Sequence, residues 1–158
     1  MRKHTQTGFT LIELMILIVI IGVLGTLVGM TYNGIQAKNR NNERQSNIKT
    51  LQSELEIYYA QNSKYPTLAN LNDPTWRTKH MAELKPGTLQ DPSWSKGIKA
   101  CSSGDQSIVS GTPAVKCYAY QVTTPDGSAC NNTTADCAQY TLTAMLEGGE
   151  KYVKSSLN

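Results

Sequence analysis

The chain has 158 residues, a formal charge of +3, and 17% charged side chains against 39% hydrophobic ones. That length leaves room for one modest soluble domain beyond a membrane helix. Without Arg2 and Lys3 in the first few residues, 13 basic residues face 12 acidic ones, a balance of +1 that argues against a dedicated nucleic-acid or anionic-membrane surface.

A short leader, Met1 to Thr7, carries Arg2, Lys3 and His4. Gly8-Phe9-Thr10-Leu11-Ile12-Glu13-Leu14 follows and opens an apolar run that lasts to Thr31. Phe9 to Met30 holds a single ionisable side chain, Glu13. As a helix these residues span ~33 Å, enough to cross a ~30 Å hydrocarbon layer. In lipid such a segment has to be helical, because its backbone must satisfy itself. The basic leader places the N-terminus on the cytoplasmic side, although Lys38, Arg40 and Arg44 on the far flank oppose that bias. A cleaved secretory signal has a shorter apolar core followed by a small-residue site. Here the run is followed by Tyr32-Asn33-Gly34-Ile35-Gln36-Ala37-Lys38, and the small residue, Gly8, precedes it. This order predicts loss of the leader and retention of the helix.

Glu13 is an expensive charge in such a segment and is read as functional by default. It lies ~6 Å along the axis from Phe9, near the interface, where the partial positive charge of a helix N-terminus favours an anion. When such helices leave lipid and pack together, the carboxylate needs a partner, and the free amine of a neighbour's Phe9 would supply one. The pair would set subunit register, since a buried charge without a partner costs several kcal/mol. The alternative is that Glu13 faces headgroups as a helix N-terminal anion.

The helix is expected to continue past the membrane. Tyr32 to Asn47 is polar, with Arg40 and Glu43 spaced for an i,i+3 pair. Ile48, Leu51, Leu55 and Tyr58 or Tyr59 then recur at helical spacing and define one buried stripe. Asn62 suits a left-handed C-terminal position, and Pro66 cannot continue the helix. From Tyr65 to Ala100 the turn signals Asp73-Pro74, Pro86-Gly87 and Asp91-Pro92 predict loops, with a helical turn near Met81 to Leu84. Trp76 and Trp94 are expected to cover the core edges. Three antiparallel strands follow. The first is Val115 to Thr123 and the second Ala138 to Leu146, whose Tyr140, Leu142, Ala144 and Leu146 share a face; a short last strand spans Lys151 to Lys154. The segment Ser102 to Pro113 reads as a polar loop. The fold class is therefore α+β: a long N-terminal helix, membrane-spanning in its first half, packed by its second half on a small antiparallel sheet. The divisions are 1–8 leader, 9–31 membrane helix, 32–64 amphipathic continuation and 65–158 globular head.

Cys101, Cys117, Cys130 and Cys137 are even in number and would lie outside the cytoplasm, which favours disulfides. Three pairings exist. Cys101–Cys117 and Cys130–Cys137 are preferred because each closes a Gly/Ser/Thr/Asn-rich loop, worth ~2–4 kcal/mol per bridge. A zinc site is the rival, but no C-x2-4-C knuckle is present.

The leader, the Gly, the aromatic residue, Thr10-Leu11-Ile12-Glu13 and the apolar run resemble the start of type IV pilins and of the pseudopilins of type II secretion and competence systems. More loosely, Ile57-Tyr58-Tyr59…Tyr65-Pro66 resembles the family's helix end. Leu89-Gln90-Asp91-Pro92 and Tyr140-Thr141-Leu142…Leu146-Glu147-Gly148-Gly149 resemble strand segments that follow. The resemblance implies cleavage between Gly8 and Phe9 by a prepilin peptidase, N-methylation of Phe9 and assembly into a helical filament. Many members carry a Pro where this chain has Met30, so no proline kink is implied. Gly22, Gly25, Gly29 and Gly34 either loosen the helix, at up to ~1 kcal/mol each against Ala, or serve close packing through the G-x-x-x-G of Gly25 and Gly29. Packing is the preferred reading.

No catalytic motif is present, so a non-enzymatic role is expected. No cofactor is expected either. Major pseudopilins often hold calcium in a late head loop, and Asp126, Asp136 and carbonyls near Gly127 are the candidate ligands, without EF-hand spacing. The first functional reading is a structural subunit of a type IV pilus or related filament, held in the cytoplasmic membrane with its head outside the cytoplasm and extracellular after assembly. Its partners would be itself and other pilins, the peptidase/methylase, an inner-membrane assembly platform, and membrane lipid before assembly. The alternatives are a pseudopilin of a secretion or competence (DNA-uptake) system, and an anchored single-pass binding protein that never polymerises. Arg77, Lys79, Lys96 and Lys99 near Trp76 and Trp94 could touch nucleic acid, but such residues are more often solvated surface and core cover.

Overall fold

The computed structural model describes residues 8–93, 108–113 and 117–157, with the backbone alone given at 27–31 and 33. The chain divides into two compact units, Met1–Lys38 and Asn39–Asn158. Helix α1 runs Leu11–Asn62 and contributes to both.

In the first unit α1 is apolar all round from Leu14 to Leu24. Leu11, Ile12, Leu14, Met15, Ile18, Val19, Ile21, Val23 and Leu24 are all exposed. Among the described residues no helix is long and apolar enough to cross a membrane. Within the 9–31 span expected from the sequence, side chains are described as far as Thr26.

In the second unit α1 buries one stripe. Ile48, Leu51 and Leu55 are 0% exposed and Tyr58 is buried with them. They pack with Tyr118, Tyr120, Tyr140, Leu142 and Ala144 of the sheet in one core. The helix ends at Ser63, which takes the left-handed conformation (φ 56°). The sequence placed that conformation on Asn62. Asn62 remains helical instead, and its side-chain amide donates to the Tyr58 carbonyl at 2.9 Å.

Two short helices occupy a stretch expected to be loop: α2, Leu68–Asn72, and α3, Pro74–His80. Thr67 and Asn70 form a capping box for α2. Asp73 caps α3, accepting from the Thr75 N–H at 2.8 Å, and Pro74 opens it. The Asp73-Pro74 turn signal is thus a helix start, because a proline suits the first helical position. Met81 to Leu84 is a turn closed by the Leu84 N–H on the Met81 carbonyl, 3.0 Å. Leu89 to Pro92, likened to a strand segment by the resemblance, is instead the end of a 3-10 helix, Pro86–Leu89, followed by a bend and a turn.

Among the described residues the sheet has four strands where three were expected: β1 Ile108–Val109, β2 Tyr118–Thr123, β3 Gln139–Met145 and β4 Lys151–Ser155, in that order. β1 pairs parallel with β2, placing a strand within the supposed polar loop before Pro113. The other two pairings are antiparallel, with Tyr120 opposite Leu142 and Ala144 opposite Tyr152. Tyr140, Leu142, Ala144 and Leu146 are buried on one face, as their alternation implied. Trp76 packs against the core between Tyr58 (5.4 Å) and His80 (4.7 Å). Trp94 lies outside the described residues.

Candidate functional site

Residues 8–10 are non-helical and α1 starts at Leu11. Gly8 is exposed with open space where a side chain would stand, and Phe9 is 79% exposed. The Gly8–Phe9 bond is therefore open to approach by another molecule. Thr10 and Glu13 close the helix end on each other. The Glu13 carboxylate accepts from the Thr10 N–H at 2.8 Å and from its hydroxyl at 2.6 Å, while the Glu13 N–H donates to the Thr10 hydroxyl at 3.3 Å. This is a reciprocal capping box, spelled T-x-x-E in the sequence. The sequence reading set Glu13 against a neighbour's amine or the headgroups and overlooked Thr10. In the single chain the charge is held by its own helix start through one oxygen, Oε2.

Of the packing glycines, Gly22 and Gly25 have nothing within 4 Å of an added Cβ, and Gly34 is equally open. Gly29 lies outside the described side chains.

The head contributes a second cluster, which the sequence reading missed. Arg44 is 1% exposed. Its Nε and Nη2 donate to the two oxygens of Asp91 at 2.7 and 3.1 Å, and Nη2 also reaches Ser93. Nη1 donates to Asn41 and to Glu147. Burial works against the Arg44 charge, yet the hydrogen bonds and charges of Asp91 and Glu147 raise its pKa above the ordinary arginine value. Arg40 donates to Glu147 at 2.7 Å rather than pairing with Glu43, so the local i,i+3 pair gives way to a partner from the head. The Arg40 hydrogen bond, seconded by Arg44, holds the Glu147 carboxyl down at about 2, against an opposing burial effect.

Cys130 and Cys137 form a disulfide, with Cα atoms 5.2 Å apart. Cys117 is also disulfide-bonded; Cys101 lies outside the described residues. The 130–137 loop is clasped to Tyr65, three residues past the end of α1. The Asn132 amide donates to the Tyr65 carbonyl at 2.7 Å, and the Tyr65 N–H donates to the Cys137 carbonyl at 2.7 Å.

Asp126 is engaged within its own turn, accepting from the Thr124 hydroxyl and from the Ser128 N–H and hydroxyl. Asp136 pairs with Lys64 at 3.3 Å. Among the described residues no group of three or more His, Cys, Asp or Glu side chains stands together to hold a metal. Of the candidate nucleic-acid residues, Arg77 is buried and Trp76 half-buried, Lys79 is exposed, and Lys96 and Lys99 lie outside the described residues.

A long helix with an exposed apolar start, a capped carboxylate behind an accessible Gly–Phe bond, and an α+β head define a pilin-like protein. A prokaryotic N-terminal methylation motif matches residues 3–29. The type II secretion system core protein G of Aeromonas hydrophila is 39% identical over 113 residues, covering 66% of this chain and 78% of that protein. The protein of the same description from Klebsiella michiganensis is 43% identical over 67 residues, covering 42% of this chain and 47% of its own length. The type IV major pilin protein PilA of Myxococcus xanthus is 35% identical over 63 residues, covering 40% of this chain and 29% of its own length. No solved structure matches. The chain belongs to the family of type IV pilins and type II secretion pseudopilins.

Proposed function

We propose that the chain is a pseudopilin, a filament subunit of a type II secretion system. The observation that carries this is the Aeromonas match, which at 113 residues runs beyond the shared N-terminal motif into the head. It favours the secretion alternative over the pilus reading that came first from the sequence. The Myxococcus pilin, matched over 63 residues, supports the pilus as the second reading.

In this reading residues 9–31 anchor the precursor in the cytoplasmic membrane with the head outside the cytoplasm. A prepilin peptidase cuts between Gly8 and Phe9, and Phe9 is methylated. An inner-membrane platform then draws the helix from lipid into a bundle with other copies and related pilins. Before extraction the Thr10 capping box serves the Glu13 charge. In the bundle Glu13 turns to the neighbour's Phe9 amine, and Gly22, Gly25 and Gly29 admit close helix approach. The reading calls for no enzymatic chemistry, no cofactor and no nucleic acid.

Mass spectrometry of the protein recovered from its own cells is expected to find a product starting at methylated Phe9. Deleting the chain is expected to trap secreted enzymes inside the cell envelope while leaving surface fibres unchanged. Loss of surface fibres with normal secretion would instead establish the pilus reading. An intact Met1 in working assemblies would refute both.

A further inference from the structure

The head buries two arginines and treats them differently. Arg44 presents the side-on Nε–Nη2 edge of its guanidinium to Asp91, which accepts through both oxygens. Arg77, on α3, is 8% exposed and is pinned by its Nη1, which donates to the Leu71 carbonyl at the end of α2. Its Nε and Nη2 make no hydrogen bond and no ion pair among the described residues. No buried side-chain nitrogen or oxygen lacks a partner among those residues, so this edge reaches solvent. Asp73 is the carboxylate whose charge acts on Arg77, but its side chain is committed to capping α3. Burial leaves the Arg77 pKa below the ordinary arginine value, with Asp73 opposing, whereas Arg44 is raised. Lys79, in the last turn of α3, adds to the positive field.

We propose that the Nε–Nη2 edge of Arg77 is a docking fork for a carboxylate of a neighbouring copy of this chain, received side-on as Arg44 receives Asp91. A guanidinium fixed by packing and by one hydrogen bond has already lost its rotamer freedom, so a planar carboxylate gains two charge-assisted bonds for little further ordering. A second copy offers such groups. Glu43, Glu83 and Glu150 are exposed and have no ion-pair partner among the described residues. The proposal rests on the filament reading for its partner but not for its chemistry.

The chemistry is tested on the full chain in detergent by following the arginine Nε–H resonances during titration with sodium acetate, ionic strength being held with chloride. A saturable shift at Arg77 with none at Arg44 is expected. A flat response at Arg77 overturns the site whether or not the chain forms filaments. The source is tested by assembly. Arg77→Lys keeps the charge and a donor for the Leu71 carbonyl but loses the fork. It is expected to melt within a few degrees of the parent yet to assemble about tenfold less, the equivalent of ~1.4 kcal/mol. One of Glu43→Gln, Glu83→Gln and Glu150→Gln is expected to reproduce that loss and to add nothing to Arg77→Lys. Undiminished assembly of Arg77→Lys, or three silent glutamate variants, overturns a second copy as the source. A parent chain that forms no filament at all bears on the family reading and leaves the acetate titration to decide the site.

Discussion

One helix serves two regions under opposite solvent regimes. Between Asn39 and Asn62 it needs only a stripe: Ile48, Leu51 and Leu55 are fully buried, and the other faces carry Lys49, Glu54 and Ser46. Between Leu14 and Leu24 the helix is apolar on every side and the chain covers none of it, with Ile18 at 62% and Val19 at 63% exposed. Each Leu, Ile or Val left in water forgoes roughly 1.5–3 kcal/mol. The proposed reading covers the first region with lipid or with copies of the chain, while the core of the second is complete within one chain. The filament reading puts the main assembly contact in the first and fold stability in the second, and substitutions should separate the two.

Glu13→Ala should show the separation most strongly. In the proposed bundle, removing the carboxylate would strand the neighbour's Phe9 amine, and breaking a buried pair costs ~3–5 kcal/mol. Filament yield is expected to fall by more than about a hundredfold. Membrane insertion and the melting of the head should be unchanged. A normal yield from this variant would remove Glu13 from register setting and leave it as a helix cap for Thr10 alone.

The converse experiment is Asp91→Ala, which strands Arg44 inside the head. The expected loss is ~3–5 kcal/mol in denaturant unfolding of the full chain in detergent. Replacing both partners with apolar residues, Arg44→Met with Asp91→Leu, should recover much of that loss. If the double variant is as unstable as the single one, Arg44 matters through Asn41, Ser93 and Glu147 rather than through the ion pair.

The regions also differ in how far their sequences disclosed them. The buried stripe of α1 and the faces of β2 and β3 were legible, because helical spacing and two-residue alternation run long enough to register a period. α2 and α3 were not, since five and seven residues barely complete a turn or two. Their caps, Thr67 and Asp73, use the same residue types as ordinary turns. β1 has two residues and no alternation to show. Arg44 stood in the sequence only as one flanking basic residue among several because its partner lies 47 positions away, and no local pattern announces that distance. The Gly8–Glu13 segment was the reverse case. Its motif is fully local, and even the overlooked capping box is written there as Thr10 and Glu13.

A smaller loss is expected from opening the Cys130–Cys137 bridge. The closed loop is short, so the entropic contribution is about 2 kcal/mol. Asn132 and Tyr65 continue to clasp the loop after reduction, which holds the effect at or below that figure. A Cys130→Ser, Cys137→Ser double variant should unfold at lower denaturant with an unchanged slope, and its assembly should match the parent once folded. A larger loss would mean that the Asn132 clasp forms only when the disulfide holds it.

The weakest expected effect lies at the Arg40–Glu147 pair, where the second unit begins. The folded Glu147 carboxyl is depressed to about 2, Arg40 being the main cause. A depressed carboxyl contributes stability that is complete above its unfolded pKa, ~4.3, and is lost as the pH falls through its folded value. The contribution should therefore be constant from neutral pH to about 4.5 and decline between there and about 2. Its size is small because the Glu147 side chain is 33% exposed and screened by solvent and salt; ~1 kcal/mol is the ceiling for such a pair. Other carboxylates titrate in the same range, so the informative quantity is the difference between parent and Glu147→Gln. That difference should close as the pH falls from about 4.5 toward 2, and should shrink at high salt. If it stays constant with pH, the Glu147 contribution comes from contacts of its carboxyl that protonation leaves intact and an amide does not reproduce, rather than from its charge.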